Sequence, residues 1–236
     1  MNKLVLLGTF VNGACILIGS ILGMFLQHIP EKIKETVMSG IGLTVIVLGL
    51  QMGFKSDNFI MVIISIVGGA VLGEWMNLEA RLNSLGNWIE RRMKAKKGTS
   101  ISQGFVTATL IFCIGAMAII GALDSGIRND HDVLITKSII DGFTALVLSS
   151  TLGIGVLFSA FPIILYEGFI AIFSRQINTL IPTALMDSFI LEMTATGGVM
   201  ILAIGLNIIG VTKIRVANLL PGIMITAILV TIMYYL

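Results

Sequence analysis

Apolar residues run along this chain in long blocks, separated by short polar breaks. A helix that crosses a bilayer needs about 20 such residues. On that rule eight blocks qualify, at about 4–26, 37–54, 59–77, 104–123, 138–158, 160–177, 194–211 and 216–235. Each predicts a transmembrane helix. The fifth and sixth meet at Ser159-Ala160-Phe161-Pro162, where Pro162 either opens a new helix or kinks a long one. The second block is short, and its glycines at 40, 42, 49 and 53 suit tight helix packing. A shorter amphipathic stretch lies near 176–193, with Leu180, Ile181, Leu185, Phe189 and Ile190 apolar. It is expected outside the membrane or as a re-entrant piece. The predicted fold is an all-α polytopic bundle of about eight spans, forming a single integral membrane domain over 1–236.

Composition agrees with the pattern. Charged residues are 12% of the chain and mean hydropathy is +1.00, against roughly 25% charged in a soluble domain. That leaves too little polar surface to solvate a globule. Cys15 and Cys113 fall inside apolar blocks and read as packing residues, not as a disulfide or metal framework. The first apolar block is too long for a signal peptide and reads as a retained span. The two histidines, His28 and His131, stand in predicted loops, and no zinc, nucleotide or serine-hydrolase motif is present. An enzyme is therefore not expected, nor a cofactor or a bound metal.

Loop charge sets an orientation. Arg81, Arg91, Arg92, Lys94, Lys96 and Lys97 lie between spans three and four, which places that connector in the cytoplasm. Alternating spans then put Lys32, Lys34, Lys213 and Arg215 inside, and both termini outside. The 78–102 connector carries Leu78, Leu82, Leu85, Ile89 and Met93 at helical spacing, with Trp88 beside them. This predicts an amphipathic helix at the interface, with Arg91, Arg92, Lys94, Lys96 and Lys97 attracting anionic lipid. Nucleic acid is not an expected partner.

Polar residues inside the apolar blocks are the candidate chemistry. Asp124 ends span four. Lys137 and Asp141 are four residues apart and share a helix face. They read either as a neutralised pair near the outer interface or as part of a polar cavity. Glu167, in LYEGF, has no basic neighbour within a turn. Glu192 precedes TATGG at 194–198, where Thr194 and Thr196 either cap a helix or form a broken-helix ion site. Asn12 and Asn207 are amides within spans, suited to interhelical hydrogen bonds or to a solute path. Spans one and four share Gly-rich phrases, FVNGACILIGSILGMF from Phe10 and FVTATLIFCIGAMAIIGAL from Phe105, and stand three spans apart, so they would be inverted; span seven echoes span one in GGVMILAIGLNIIG from Gly197. They read either as an inverted repeat or as chance similarity of Gly and Ile.

Several phrases occur together: GTFVN at 8–12, FCIGAMAIIGALDSG at 112–126, LITKSIIDGF at 134–143, GIGVLFS at 153–159, EMTATGG at 192–198 and GLNIIGVTKIRVANLLP at 205–221. In this order they resemble the YdfK/YqgA-like family of bacterial multi-pass membrane proteins, a domain-of-unknown-function family. The resemblance implies an inner or plasma membrane location. It also implies that Pro commonly stands where this chain has Ala116, and Gln where it has Glu167, which argues against an obligate carboxylate at 167. The expected function is passage of a small solute or ion, with Asp124, Asp141, Glu167, Glu192, Thr194, Thr196, Asn12 and Asn207 lining the path. The alternative is a non-transporting membrane scaffold or regulatory protein, a homodimer in one form, that recruits lipid or a partner through its basic connector.

Overall fold

The computed structural model describes residues 5–26, 31–84 and 101–236, and these are helical with short joints. The helices are α1 (Leu7–Phe25), α2 (Glu31–Gly53), α3 (Phe59–Met76), α4 (Ile101–Cys113), α5 (Ala116–Arg128), α6 (Asp132–Leu152), α7 (Ala160–Leu180), α8 (Thr183–Ile208) and α9 (Pro221–Tyr235). A further helical stretch over 78–84 follows Asn77, whose left-handed backbone ends α3. The basic part of the predicted connector, from Leu85 through Lys97, lies outside the described residues. The chain packs as two compact units. The first contains α1 and α4 to α7; the second contains α2, α3, α8 and α9.

In the first unit α1 packs along α6. A methyl group placed on Gly8 would meet Leu134, one on Gly19 would meet the Gly142 carbonyl, and one on Gly23 would meet Leu146 and Ser149. Residue numbers rise together, so the two helices run parallel, backbone against backbone. Glycine allows this approach, which lipid-embedded helices use because burial from water cannot drive their association. Helix α7 packs on α1 in the opposite sense, since Gly13 faces Ile164 and Gly168 faces Thr9.

These directions bear on one point of the span count. α6 and α7 run in opposite senses along α1, so they are separate crossings. Gly153 (φ 74°) breaks the chain after α6, a single turn (Gly155–Phe158) follows, and Pro162 sits in the first turn of α7, where no intrahelical donor is lost. Helices α4 and α5 are shorter. Each is 13 residues, about 20 Å long, too short to cross a hydrocarbon core of about 30 Å. The two are bent by 60° at Ile114-Gly115. Seven helices are long enough to span, and the count is eight if this broken pair forms one span.

In the second unit α8 is the central helix. It packs antiparallel to α2, with Gly42 at Gly205 and Gly49 at Gly198 and Leu202. Helices α3 and α9 pack the same way, with Gly69 at Gly222 and Gly73 at the Asn218 backbone. Two expectations are corrected here. TATGG is not a broken-helix element or a helix start: α8 runs unbroken through it, and Thr194 to Gly198 are all buried. Nor is 176–193 a separate amphipathic piece, because α7 continues to Leu180 and α8 begins at Thr183, directly after Pro182. Both had the same cause. Paired glycines weaken a helix on intrinsic propensity, but here Gly198 admits the α2 backbone at Gly49 and Gly53, and packing overrides propensity. The real break in a span is at Gly115, whose positive φ of 157° is a conformation that glycine adopts and L side chains rarely do.

Candidate functional site

The first unit buries three charged side chains from two helices, with a neutral amide from a third. Lys137 and Asp141 stand one turn apart on α6, and Glu167 lies in the middle of α7. Asn12 projects from α1, on the face that carries Thr9 and Ile16. The exposures are 0% for Asn12 and Glu167, and 6% for Lys137 and Asp141. The Lys137 ammonium donates to Asp141 Oδ2. It also stands 3.4 Å from Glu167 Oε1. That oxygen accepts a hydrogen bond from the Asn12 amide at 2.8 Å. Glu167 Oε2 and Asn12 Oδ1 are buried without a partner, as is Thr9 Oγ1 on the adjoining turn of α1.

The arrangement follows from local sequence. The spacing of four between Lys137 and Asp141 puts both on one face of α6. Gly142, next to Asp141, lets the α1 backbone approach at Cys15 and Gly19, which brings Asn12 within reach. Gly168, next to Glu167, faces the Leu6 and Thr9 side chains, where a methyl would make ordinary contact. Cys113, the last residue of α4, lies within electrostatic reach of Lys137, Glu167 and Asp141. The bend of span four therefore sits beside the charges. Ionised groups in a membrane interior are costly unless paired or hydrated, and they mark pathways by default. One ammonium here faces two carboxylates, so a full set of ionised groups would leave one negative charge uncompensated.

The other candidates stand apart from this cluster. Asp124 pairs with Arg128 one turn on, at 3.5 Å, and Arg128 is largely exposed. Glu192, Thr194, Thr196 and Asn207 belong to the second unit. The Glu192 carboxylate accepts from the Ser56 hydroxyl at 2.6 Å and from the Asp57 and Asn58 amides at 3.0 and 3.1 Å. Its negative charge thereby caps the N-terminus of α3 from a distant point in the chain. Thr196 and Thr226 hydroxyls meet at 3.1 Å between α8 and α9. Thr194 Oγ1 is buried and unpartnered. Asn207 staples the turn after α8: its amide donates to the Ile214 carbonyl, and its Oδ1 accepts from Thr212 and the Ile214 amide.

Sequence reasoning missed two features. Lys137, placed near the outer interface by its position in the span, is buried at the centre of the cluster. Its spacing from Asp141 was the available signal, but nothing in the sequence pairs it with Glu167, 30 residues later. His131 Nδ1 and the buried Ser125 hydroxyl lie 2.9 Å apart where α5 turns into α6. The left-handed Asn129 folds that turn back, and no sequence period signals it.

Comparisons with known proteins agree with this architecture. A family model described as "Protein of unknown function (DUF554)" matches residues 7–231. The chain is 32% identical over 232 residues to "Uncharacterized membrane protein YdfK" of Bacillus subtilis (strain 168), covering 96% of each chain. It is 30% identical over 224 residues to "Uncharacterized protein YqgA" of Escherichia coli (strain K12), covering 93% of this chain and 94% of the relative. No solved structure gives a significant match. The glutamine that the family resemblance implies at position 167 would keep the Asn12 contact and leave Lys137 balanced by Asp141 alone. The implied proline at 116 would occupy the first residue of α5, a position that needs no intrahelical donor. Matched almost end to end by the family model and by both relatives, this multi-pass helical membrane protein belongs to the DUF554 family.

Proposed function

We propose that this protein moves a small solute or ion across a prokaryotic plasma or inner membrane, through a polar path in its first unit. The observation that carries the reading is the burial of Lys137, Asp141 and Glu167 against one another from α6 and α7, with Asn12 from α1. A membrane protein that needed only stability would be served as well or better by apolar side chains of the same volume. The bend at Gly115 beside Cys113 adds support, since a helix interrupted near a charged cluster frees backbone groups for a passing solute. The function is transport and not bond-making chemistry. The 78–102 connector faces the cytoplasm, both termini face outward, and Arg91, Arg92, Lys94, Lys96 and Lys97 meet anionic lipid.

The test is reconstitution of the full chain in liposomes, with a panel of labelled ions and small solutes followed with time. Lys137→Met and Asp141→Asn are expected to lower flux of the accepted solute at least tenfold. Asp124→Asn, outside the cluster, is expected to leave it unchanged. Flux unaltered by both cluster substitutions would overturn the assignment. The alternative, a lipid-recruiting scaffold, predicts no flux of any solute and loss of binding to anionic vesicles when the basic connector residues are neutralised.

A further inference from the structure

We propose that the Asn12–Lys137–Asp141–Glu167 cluster holds one exchangeable proton, carried on Oε2 of Glu167, and that this proton is the coupled ion. The coupling rests on the transport reading, whereas occupancy of the site can be measured in a protein that transports nothing. Asp141 takes the direct contact with Lys137. Glu167 shares the same ammonium only at 3.4 Å, through Oε1. An ionised Glu167 would therefore leave a fully buried negative charge without a cation of its own, the least favourable state for such a group.

Hydrogen bonding points to the same atom. Oε1 is occupied by the Asn12 amide, while Oε2 is buried with no donor aimed at it. A carboxylate wants donors at both oxygens; a carboxylic acid needs an acceptor for its O–H. The facing helix α1 offers two buried oxygens without partners, Asn12 Oδ1 and Thr9 Oγ1. In the binding step an aqueous hydronium gives its proton to Oε2, an O–H bond forms, and the cluster passes from one net negative charge to none. Release returns the proton to water. A metal cation would instead need a shell of oxygen ligands in a space already held by the Lys137 ammonium.

The groups facing Glu167 are few. Lys137 and Asp141 come from α6, Cys113 from α4, and Tyr166 neighbours it on α7. The charged residues of α5 near its end, Asp124 and Arg128, pair with each other.

The experiment is infrared difference spectroscopy on the full chain in vesicles of phosphatidylethanolamine and phosphatidylglycerol at neutral pH, reading the carbonyl band of protonated carboxylic acids. The number of protons is the number of carboxyl groups in the cluster minus the number of ammonium groups. Wild type should show one unit of band intensity. Glu167→Gln should show none. Asp141→Asn should also show none, because Glu167 then inherits Lys137 as an ionised partner. Lys137→Met should show two. Wild-type intensity in Glu167→Gln, or loss of the wild-type band on adding sodium at fixed pH, would overturn the proposal; the second outcome would mean a sodium site. In the same vesicles an imposed pH gradient should speed wild-type solute flux and leave flux through Glu167→Gln unaffected; equal acceleration of the variant would overturn the coupling. The predicted band pattern without any flux would keep the proton site and refute transport. Flux without the pattern would do the reverse.

Discussion

Removing the single cation from the buried cluster should cost more than any other one-residue change in the first unit. In Lys137→Met, the side chain keeps its approximate length and its apolar stem but loses the ammonium. Asp141 then loses its direct charge-assisted contact, and Glu167 loses the charge 3.4 Å from Oε1, leaving Asn12 as its one partner. Breaking a buried pair by deleting one partner costs about 3–5 kcal/mol, because Asp141 loses its charge-assisted contact and must take up a proton or stay ionised without a partner. At roughly 1.4 kcal/mol per tenfold, that raises the unfolding constant by more than about 100-fold. The triple variant Lys137→Met, Asp141→Asn, Glu167→Gln removes both carboxyl groups that lose the ammonium while preserving volume. It should recover most of the loss, because neutral isosteres in place of a buried ionic set are often neutral or stabilising. The assay is reversible unfolding in mixed micelles of increasing denaturing-detergent fraction, followed by far-ultraviolet circular dichroism, for wild type, single and triple variants. If the triple variant is as unstable as Lys137→Met, the penalty comes from lost packing of the lysine stem and the electrostatic account fails.

Three further outcomes follow from the packing. Gly49→Ala should destabilise by about 1–3 kcal/mol, since its methyl would strike the α8 backbone at Leu202 and Gly198. Gly40→Ala in the same helix meets nothing within 4 Å and should be neutral or stabilising by up to about 1 kcal/mol; matching effects in the same unfolding assay would refute the close α2–α8 contact. Glu192→Leu strips the acceptor from Ser56, Asp57 and Asn58 and should cost at least about 1.5–3 kcal/mol. It should also speed hydrogen exchange at the amides of 57 and 58, and unchanged exchange there would argue against the cap. In a background lacking Cys15 and Cys113, a cysteine at Lys94 should react with a membrane-impermeant maleimide only after the cytoplasmic face is opened; labelling of intact cells would reverse the assigned orientation.

Much of this architecture was written in hydropathy. Every predicted span has its helix, or its bent pair, because twenty consecutive apolar residues in a bilayer must close their own backbone hydrogen bonds. The least determinate boundary, at Pro162, resolved into two helices, with Pro162 in the first turn of the second. Candidate chemistry was only half legible. Residue type and burial flagged Asp141 and Glu167, and both lie in the cluster. Asp124, Glu192 and Asn207 carry the same local signs but serve as an edge ion pair, a helix cap and a turn staple. Helical periodicity reports which face a residue occupies, not what stands opposite.

Sequence alone determined that the chain is membrane-embedded and helical, where its spans lie, and that Lys137 and Asp141 share a face. Those properties depend on composition and on spacings of a few residues, which are local. Tertiary structure decided that Asn12, Lys137 and Glu167, spread over 155 residues, meet in one buried cluster, and that the interrupted helix is α4–α5 and not the one through TATGG. Both outcomes depend on which helix packs on which. That choice is made by glycine contacts such as Gly19 with Gly142 and Gly49 with Gly198, and a glycine in the sequence does not name its partner.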